Sequence, residues 1–324
     1  MFKFKKNNLI LATSLLALST ALAGCGGANE GTSNNGDKKA ESTEVSTERT
    51  LTDALGHEVT IPANPKRVIA SYLEDNLVAL GITPAAQWTV ANGVQDYLQD
   101  SLKDIPTISY DLPLEAVMDV NPDLIIVEAA SAVEGGKYEQ YSKIAPTYVV
   151  AKESNDDWRE ELQTVGEVFG KSDKAKQVLE EYDQKAAEAK EKLQKANKNE
   201  SAAAVWLVGN KFFIVGEKVS SGAVLYGDLG LATPNVVKEI SDTATANWSE
   251  ISLEKLAELD ADHIFLINSD KGNGSEMLKE STWKNIPAVK NGHIYEYGAD
   301  TSWLYSGAIA NSQIIDDVLE SMIQ

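Results

Sequence analysis

The chain has 324 residues, 43% of them hydrophobic, and its 29 lysines and arginines face 49 aspartates and glutamates, for a formal net charge of −20. So acidic a surface argues against nucleic acid and other polyanions as partners. The single cysteine excludes a disulfide framework, so stability must come from packed cores, and the length suffices for two domains of ordinary size.

Residues 1–8 carry Lys3, Lys5 and Lys6, and an apolar run over residues 9–23 follows. That order is a secretory signal, and the run is too short and wrongly flanked to span a bilayer. It ends in Leu22-Ala23-Gly24-Cys25, which resembles the bacterial lipobox, where the cysteine is diacylated and becomes the new N-terminus. Two fatty chains hold a protein stably where one does not. Loss of residues 1–24 with their three lysines takes the net charge to −23. No later stretch approaches the roughly 18 apolar residues of a membrane-spanning helix. The chain is therefore expected to be exported and lipid-anchored to the cell membrane through Cys25, and the absence of a disulfide suits a Gram-positive exterior.

Residues 25–49 are polar and glycine-rich and predict a flexible tether. Order is expected from Leu51, with a short hairpin around Gly56. A buried strand over residues 65–71 and a helix over 74–80 follow, then a strand (85–88), a helix (94–102) and the strand Thr107–Ser109. A helix over Leu114–Val120 precedes a strand (124–128), a helix (138–144) and a strand (147–150). Such alternation implies a parallel sheet covered by helices, an N-terminal lobe over residues 50–155.

Residues 156–200 form a helical segment: one helix over 156–169, and a long charged one capped at Ser172 or Asp173 that runs to about residue 197. At 1.5 Å per residue the second makes a rod of about 38 Å, with apolar positions too sparse for a coiled coil. Alternation resumes in a second lobe over residues 201–324. It has strands Ala202–Val208 and Lys211–Val215, a helix over 222–229, a helix over 253–259 and the strand His263–Asn268. A strand over 293–297 and a final amphipathic helix from about residue 305 to 322 close it.

An internal quasi-repeat supports two related lobes. Residues 114–127 align without gaps on residues 253–266 at a constant offset of 139, each copy a short helix, a turn and a buried strand. The reading is an α/β protein with two Rossmann-like lobes, one on each side of a single long rigid helix, and a cleft between them.

Several further segments carry a resemblance. Asn64-Pro65-Lys66-Arg67-Val68-Ile69, Leu80-Gly81-Ile82, Asn121-Pro122-Asp123-Leu124-Ile125-Ile126, Tyr138 through Ile144-Ala145-Pro146-Thr147, and Trp283-Lys284-Asn285 followed by Asn291-Gly292-His293-Ile294-Tyr295 stand in order behind the lipobox and tether. Together they resemble the siderophore-binding lipoproteins of iron ABC importers, of the class III periplasmic-binding-protein type, from about Leu51 to the C-terminus. The resemblance implies two α/β lobes on one rigid helix and capture of a ferric siderophore in the cleft by a monomer, without enzymatic activity. Iron would be present only inside the ligand, with no resident cofactor or metal. It also implies that a glutamate on each lobe pairs with arginines of the permease dimer, and Glu115 and Glu254 match those positions. Two carboxylates at helix starts suit such a clamp, and each also favours its own helix N-terminus.

Ligands of open α/β sheets bind at the carboxyl ends of the strands. The candidates there are Tyr72, Trp88, Tyr110, Glu128 and Ser131 in the first lobe, and Lys211, Ser220, Ser221, Trp248, Asn268, Trp303 and Tyr305 in the second. Tryptophan and tyrosine present flat apolar area with a polar edge, which suits an iron chelate with an organic skirt. The three arginines, Arg49, Arg67 and Arg159, all fall outside the expected cleft loops. Anionic ferric catecholates and citrates usually need a basic pocket, so the hydroxamate type is favoured. Many hydroxamate binders of the family carry an arginine before the helix matched here by residues 222–229. Lys218-Val219-Ser220-Ser221-Gly222 stands in its place, leaving Lys211 or Lys218 as the substitute charge.

Haem, cobalamin or ferric citrate are the alternative ligands of the same fold. A direct zinc or manganese binder requires clustered histidines, and His57, His263 and His293 fall in separate predicted elements. An exported hydrolase lacks a Gly-x-Ser-x-Gly elbow, a His-Glu-x-x-His helix or a usable Ser/His/Asp set. A structural or adhesive lipoprotein has no use for paired lobes.

Overall fold

The computed structural model describes residues 47–90, 93–153, 157–197, 199–244, 246–270 and 275–323, so Cys25 and most of the expected tether lie outside the described residues. The first described strand, β1 (Arg49–Thr52), pairs antiparallel with β2 (Glu58–Ile61). This strand begins two residues before Leu51. Arg49 is held because its guanidinium donates to the carbonyls of Glu167 and Val168 in the last turn of a helix, where carbonyls lack a full set of intrahelical donors.

The first lobe continues through β3 (Val68–Ser71), α1 (Glu74–Ala79), β4 (Gln87–Thr89), α2 (Gln99–Leu102), β5 (Thr107–Ser109), α3 (Leu114–Val120), β6 (Leu124–Ala129), α4 (Lys137–Tyr141) and β7 (Thr147–Ala151). Strands β3, β6 and β7 form a parallel sheet, and a parallel β4–β5 pair joins it through a bridge between Ile69 and Ala86. The expected helix over residues 94–102 is only a short 3-10 turn, Asp96–Leu98, running into α2. Leu98 and Leu102 are buried there, while Gln95 and Gln99 are drawn into hydrogen bonds around Gln87.

Two helices follow, α5 (Trp158–Val168) and the 26-residue α6 (Ser172–Asn197), which links the lobes. The second lobe contains β8 (Ala202–Val208), β9 (Lys211–Val215), α7 (Ser220–Gly222), α8 (Asn235–Ser241), β10 (Trp248–Ile251), α9 (Leu253–Leu256), β11 (His263–Asn268), α10 (Ser281–Lys284), α11 (Pro287–Asn291), β12 (Ile294–Gly298) and α12 (Ala308–Met322). Its sheet runs β10-β9-β8-β11-β12, with β8, β11 and β12 parallel and β9 and β10 antiparallel. It is therefore mixed, and β10 and α8 were not anticipated. Helix α7 opens before residue 222 and passes into a π-helical turn, Ala223–Asp228. The last helix starts at Ala308, which leaves Tyr305 in the preceding connection.

The alternation of side chains along the central strands explains the layering. Val68, Ala70, Leu124 and Ile126 turn one way, while Ile69, Ile125 and Val127 pack on the opposite face with Val117 and Tyr141. In the second lobe Ala202, Ala204, Phe265 and Ile267 belong to the same core as the first group, while Ala203, Val205, Ile264 and Leu266 pack with Leu256 and Trp283. The shared core is completed by Ala175, Tyr182, Ala186, Ala189 and Leu193 along α6, and by Ile314, Ile315 and Val318 on α12. Both lobes thus belong to one compact unit and bury apolar surface against the same helices. The α6 positions that looked sparse for a coiled coil are enough for this one-sided seam.

A Cβ on Gly222 would lie 1.9 Å from the carbonyl oxygen of Gly216. Gly222→Ala is therefore expected to cost about 1–3 kcal/mol, read as a lower midpoint in thermal denaturation. An unchanged midpoint would mean the β9–α7 connection yields freely.

Candidate functional site

Strands β3, β4 and β6 end together, and the residues just beyond them come into one place. Tyr72 follows β3 at a φ of 68°, a left-handed conformation costly for a bulky side chain, and it is 41% exposed. Its ring lies 5.3 Å from that of Trp88 in β4 and 6.4 Å from that of Tyr305. Tyr305 in turn lies 5.1 Å from Tyr97. Trp88, Tyr72, Tyr305 and Tyr97 thus form one continuous aromatic wall. Glu128, the penultimate residue of β6, lies near Tyr72, Ser131 is exposed in the turn after β6, and Tyr110, 63% exposed, is tied by its N–H to the carbonyl of Thr89.

Carboxyls underlie this wall. Glu74 is fully buried and accepts from the Trp88 N–H at 2.6 Å; burial pushes its carboxyl up to about 7. Asp75 is buried beside it, and burial pushes it up to about 6 although it accepts several hydrogen bonds. Glu161 on α5 accepts from the Asn76 amide at 2.6 Å, and burial, with Glu128 and Asp75 nearby, raises it to about 8. The phenols are shifted too. Burial and then Glu128 raise Tyr72, burial and Asp75 raise Tyr97, and burial and Asp96 push Tyr305 up to about 12. At the rim, burial and the proximity of Asp300, which follows β12 of the second lobe, raise Asp96.

The second-lobe candidates divide differently. Trp303 is a correction: it is fully buried, stacked 4.7 Å from Phe265, with its indole N–H on Asp317 at 2.8 Å. Ser220, Ser221 and Asn268 are also buried, and Asn268 donates to Glu296. Trp248 pairs in β10 and packs edge-on to Trp206, with its indole nitrogen buried. Lys211 is taken by Glu250 at 3.0 Å, and Lys218 lines a separate pocket with Glu217 and Asp242. Of the second-lobe set, only Tyr305 joins the wall. Tyr97 was missed, because a tyrosine in a segment expected to be helical reads as packing; the bond to Asp75 is what turns it toward Tyr305.

No arginine reaches the wall. Arg67 donates to the carbonyls of Val120 and Asn121 at the end of α3, and Arg159 pairs with Asp183 and Asp228 over the rings of Trp158 and Tyr182. His57 bonds Asp53 in the first lobe, whereas in the second lobe His263 bonds Glu200 and its ring stacks on that of His293, so two of the three histidines do meet although their elements are separate in the sequence. Among the described residues no group of three or more His, Cys, Asp or Glu side chains is arranged to hold a metal ion, and no helix is long and apolar enough to cross a membrane. Such a site can cover apolar ligand surface and exchange hydrogen bonds with neutral polar groups, but it has no fork for a carboxylate or catecholate.

Glu115 and Glu254 occupy equivalent places in the two lobes. Each is exposed in the first turn of its helix, α3 or α9, and each helix leads into the middle one of three parallel strands, β6 between β3 and β7 or β11 between β8 and β12. The repeat seen in the sequence is thus structural.

Comparison with known proteins agrees with this architecture. The chain is 31% identical over 288 residues to the iron(3+)-hydroxamate-binding protein FhuD of Bacillus subtilis, covering 87% of each chain. Among solved structures it is similar to a periplasmic binding protein component of a Fep/Fec-like ferrichrome ABC transporter from Bacillus subtilis, with a TM-score of 0.71, 28% identity and coverage of 85% of this chain and 100% of that one. It is likewise similar to FhuD2 from Staphylococcus aureus with bound ferrioxamine B, with a TM-score of 0.67, 25% identity and coverage of 79% and 98%. The periplasmic binding protein family matches residues 70–301, and with two α/β lobes on one long helix, this chain belongs to that family.

Proposed function

We propose that this chain is the substrate-binding lipoprotein of an ABC importer, which captures a ferric siderophore of the hydroxamate type and delivers it to a permease dimer. The observation that carries the reading is the aromatic wall, underlain by carboxyls and without an arginine. Ferric hydroxamates are near neutral or weakly cationic, so they meet no electrostatic penalty there, whereas anionic chelates would lie unpaired against carboxyls. The similarity to an iron(3+)-hydroxamate-binding protein and to a ferrioxamine-bound structure supports the same choice.

Iron enters as cargo inside the chelate, so no resident cofactor and no reaction step is assigned, and the chain acts as a monomeric binder rather than an enzyme. The diacylated Cys25 and its polar tether hold it outside the cell membrane, within reach of the permease. Glu115 and Glu254 dock on permease arginines.

Tryptophan fluorescence with a panel of ferric hydroxamates, catecholates and citrates, plus haem and cobalamin, tests the ligand. Trp88 in the wall is expected to report submicromolar quenching by hydroxamates and little by the anionic chelates. Tight quenching by haem or cobalamin alone would overturn the reading.

A further inference from the structure

The groups that converge on Asp75 come from segments far apart in the chain. Its carboxylate accepts from the phenol of Tyr97 at 3.1 Å and from the backbone N–H groups of Ile309 at 3.1 Å and Ala310 at 2.9 Å. The first amides of a helix have no partner within it, and here Asp75 supplies one for α12 from 234 residues away. The approach is close. Gly307, at a φ of 147°, stands just before α12, and a Cβ there would come within 2.4 Å of the Asp75 carboxylate. Tyr305, two residues earlier, is the ring that Tyr97 meets. A single buried side chain therefore holds both partners of that aromatic contact, one through its hydroxyl and the other through the helix that follows it.

We propose that Asp75 is a positioning residue for ligand binding, which locks Tyr97 and Tyr305 into one face of the cleft and so sets the width offered to the chelate. This rests on the reading of the aromatic wall as the ligand surface. A preorganised wall spares the ordering of two tyrosines on binding, each of which would otherwise weaken affinity. The body of α12 is held independently by Ile314, Ile315 and Val318 in the shared core. Loss of the carboxylate therefore loosens the first turn and the two rings rather than the whole helix.

Three variants separate the possibilities. Tyr97→Phe leaves the bonds from Asp75 to α12 in place and removes only the tie to the ring. It is expected to bind a ferric trihydroxamate about ten-fold more weakly, with a melting temperature within about 2 °C of the parent. Asp75→Asn turns an NH2 group against amide donors, and is expected to lose at least as much affinity and to speed hydrogen exchange at Ile309 and Ala310. Tyr305→Ala reports on the wall itself. If Tyr305→Ala weakens binding while Tyr97→Phe binds like the parent, Asp75 is a helix cap only and the proposal fails. If Tyr305→Ala also binds like the parent, the ligand surface lies elsewhere and the functional reading fails with it.

Discussion

Reversal of both Glu115 and Glu254 to lysine is expected to abolish siderophore-dependent iron uptake while leaving ligand affinity unchanged. Both side chains are exposed at the start of helices that carry no part of the aromatic wall. They recur at an offset of 139 residues in equivalent helix–turn–strand units, so a two-fold related partner would meet the same charge twice. A carboxylate desolvated against arginine in an interface is worth about 2–5 kcal/mol when one partner is removed, and reversal adds repulsion. Two such losses correspond to at least about a thousand-fold weaker docking, so uptake stops at ordinary permease density. Each single reversal should fall between the parent and the double variant. Radioiron uptake in cells and fluorescence titration of the purified chain measure the two quantities separately. Unchanged uptake in the double variant would remove the docking role, and a parallel loss of ligand affinity would mean that the lobes themselves were disturbed.

The second large effect is a fall in stability as pH rises through neutrality. Glu74, Asp75 and Glu161 have folded-state values of about 7, about 6 and about 8, all raised from ordinary carboxyl values by burial. Between their unfolded and folded values the native state binds more protons than the unfolded chain, so stability decreases with pH. The stabilising protonated form is fully present below about pH 4 and is lost progressively up to about pH 8. One pK unit is worth about 1.4 kcal/mol, so a two-unit shift on a single carboxyl is worth about 3 kcal/mol. For a chain of this size that is roughly 5–10 °C in the melting temperature. The parent should therefore melt higher at pH 5 than at pH 8. Glu161→Gln should gain stability at pH 8 and none at pH 5, which removes the general effect of net charge from the comparison. A flat profile in the parent, or an equal slope in Glu161→Gln, would show that the carboxyl meets water.

Much of this architecture is legible in the sequence because its causes are local. The continuous apolar runs in residues 68–71 and 263–268, the glycine stop at Gly170 and the serine start at Ser172 each act within a few residues. They predict strands, the long linking helix and the paired units that carry Glu115 and Glu254. The first-lobe side of the site was legible for a related reason, since Tyr72, Trp88 and Glu128 follow directly from the carboxyl ends of parallel strands.

Position after a strand does not reveal which way a side chain finally turns, and the second lobe makes that clear. Trp303 and Asn268 stand where cleft residues belong, yet each is drawn inward by neighbours remote in the chain, Trp303 by Phe265 and Asp317 and Asn268 by Glu296. Tyr97 was hidden because only a buried carboxylate 22 residues away brings it to the wall. The sequence alone determined most of the order of elements and the two lobes, though not β10 and α8, because apolar runs and chain stops are short-range signals. Which aromatics face one another, and which carboxyls lie stripped of water beneath them, only the tertiary structure decided, because desolvation and long-range hydrogen bonds exist only once the chain has closed on itself.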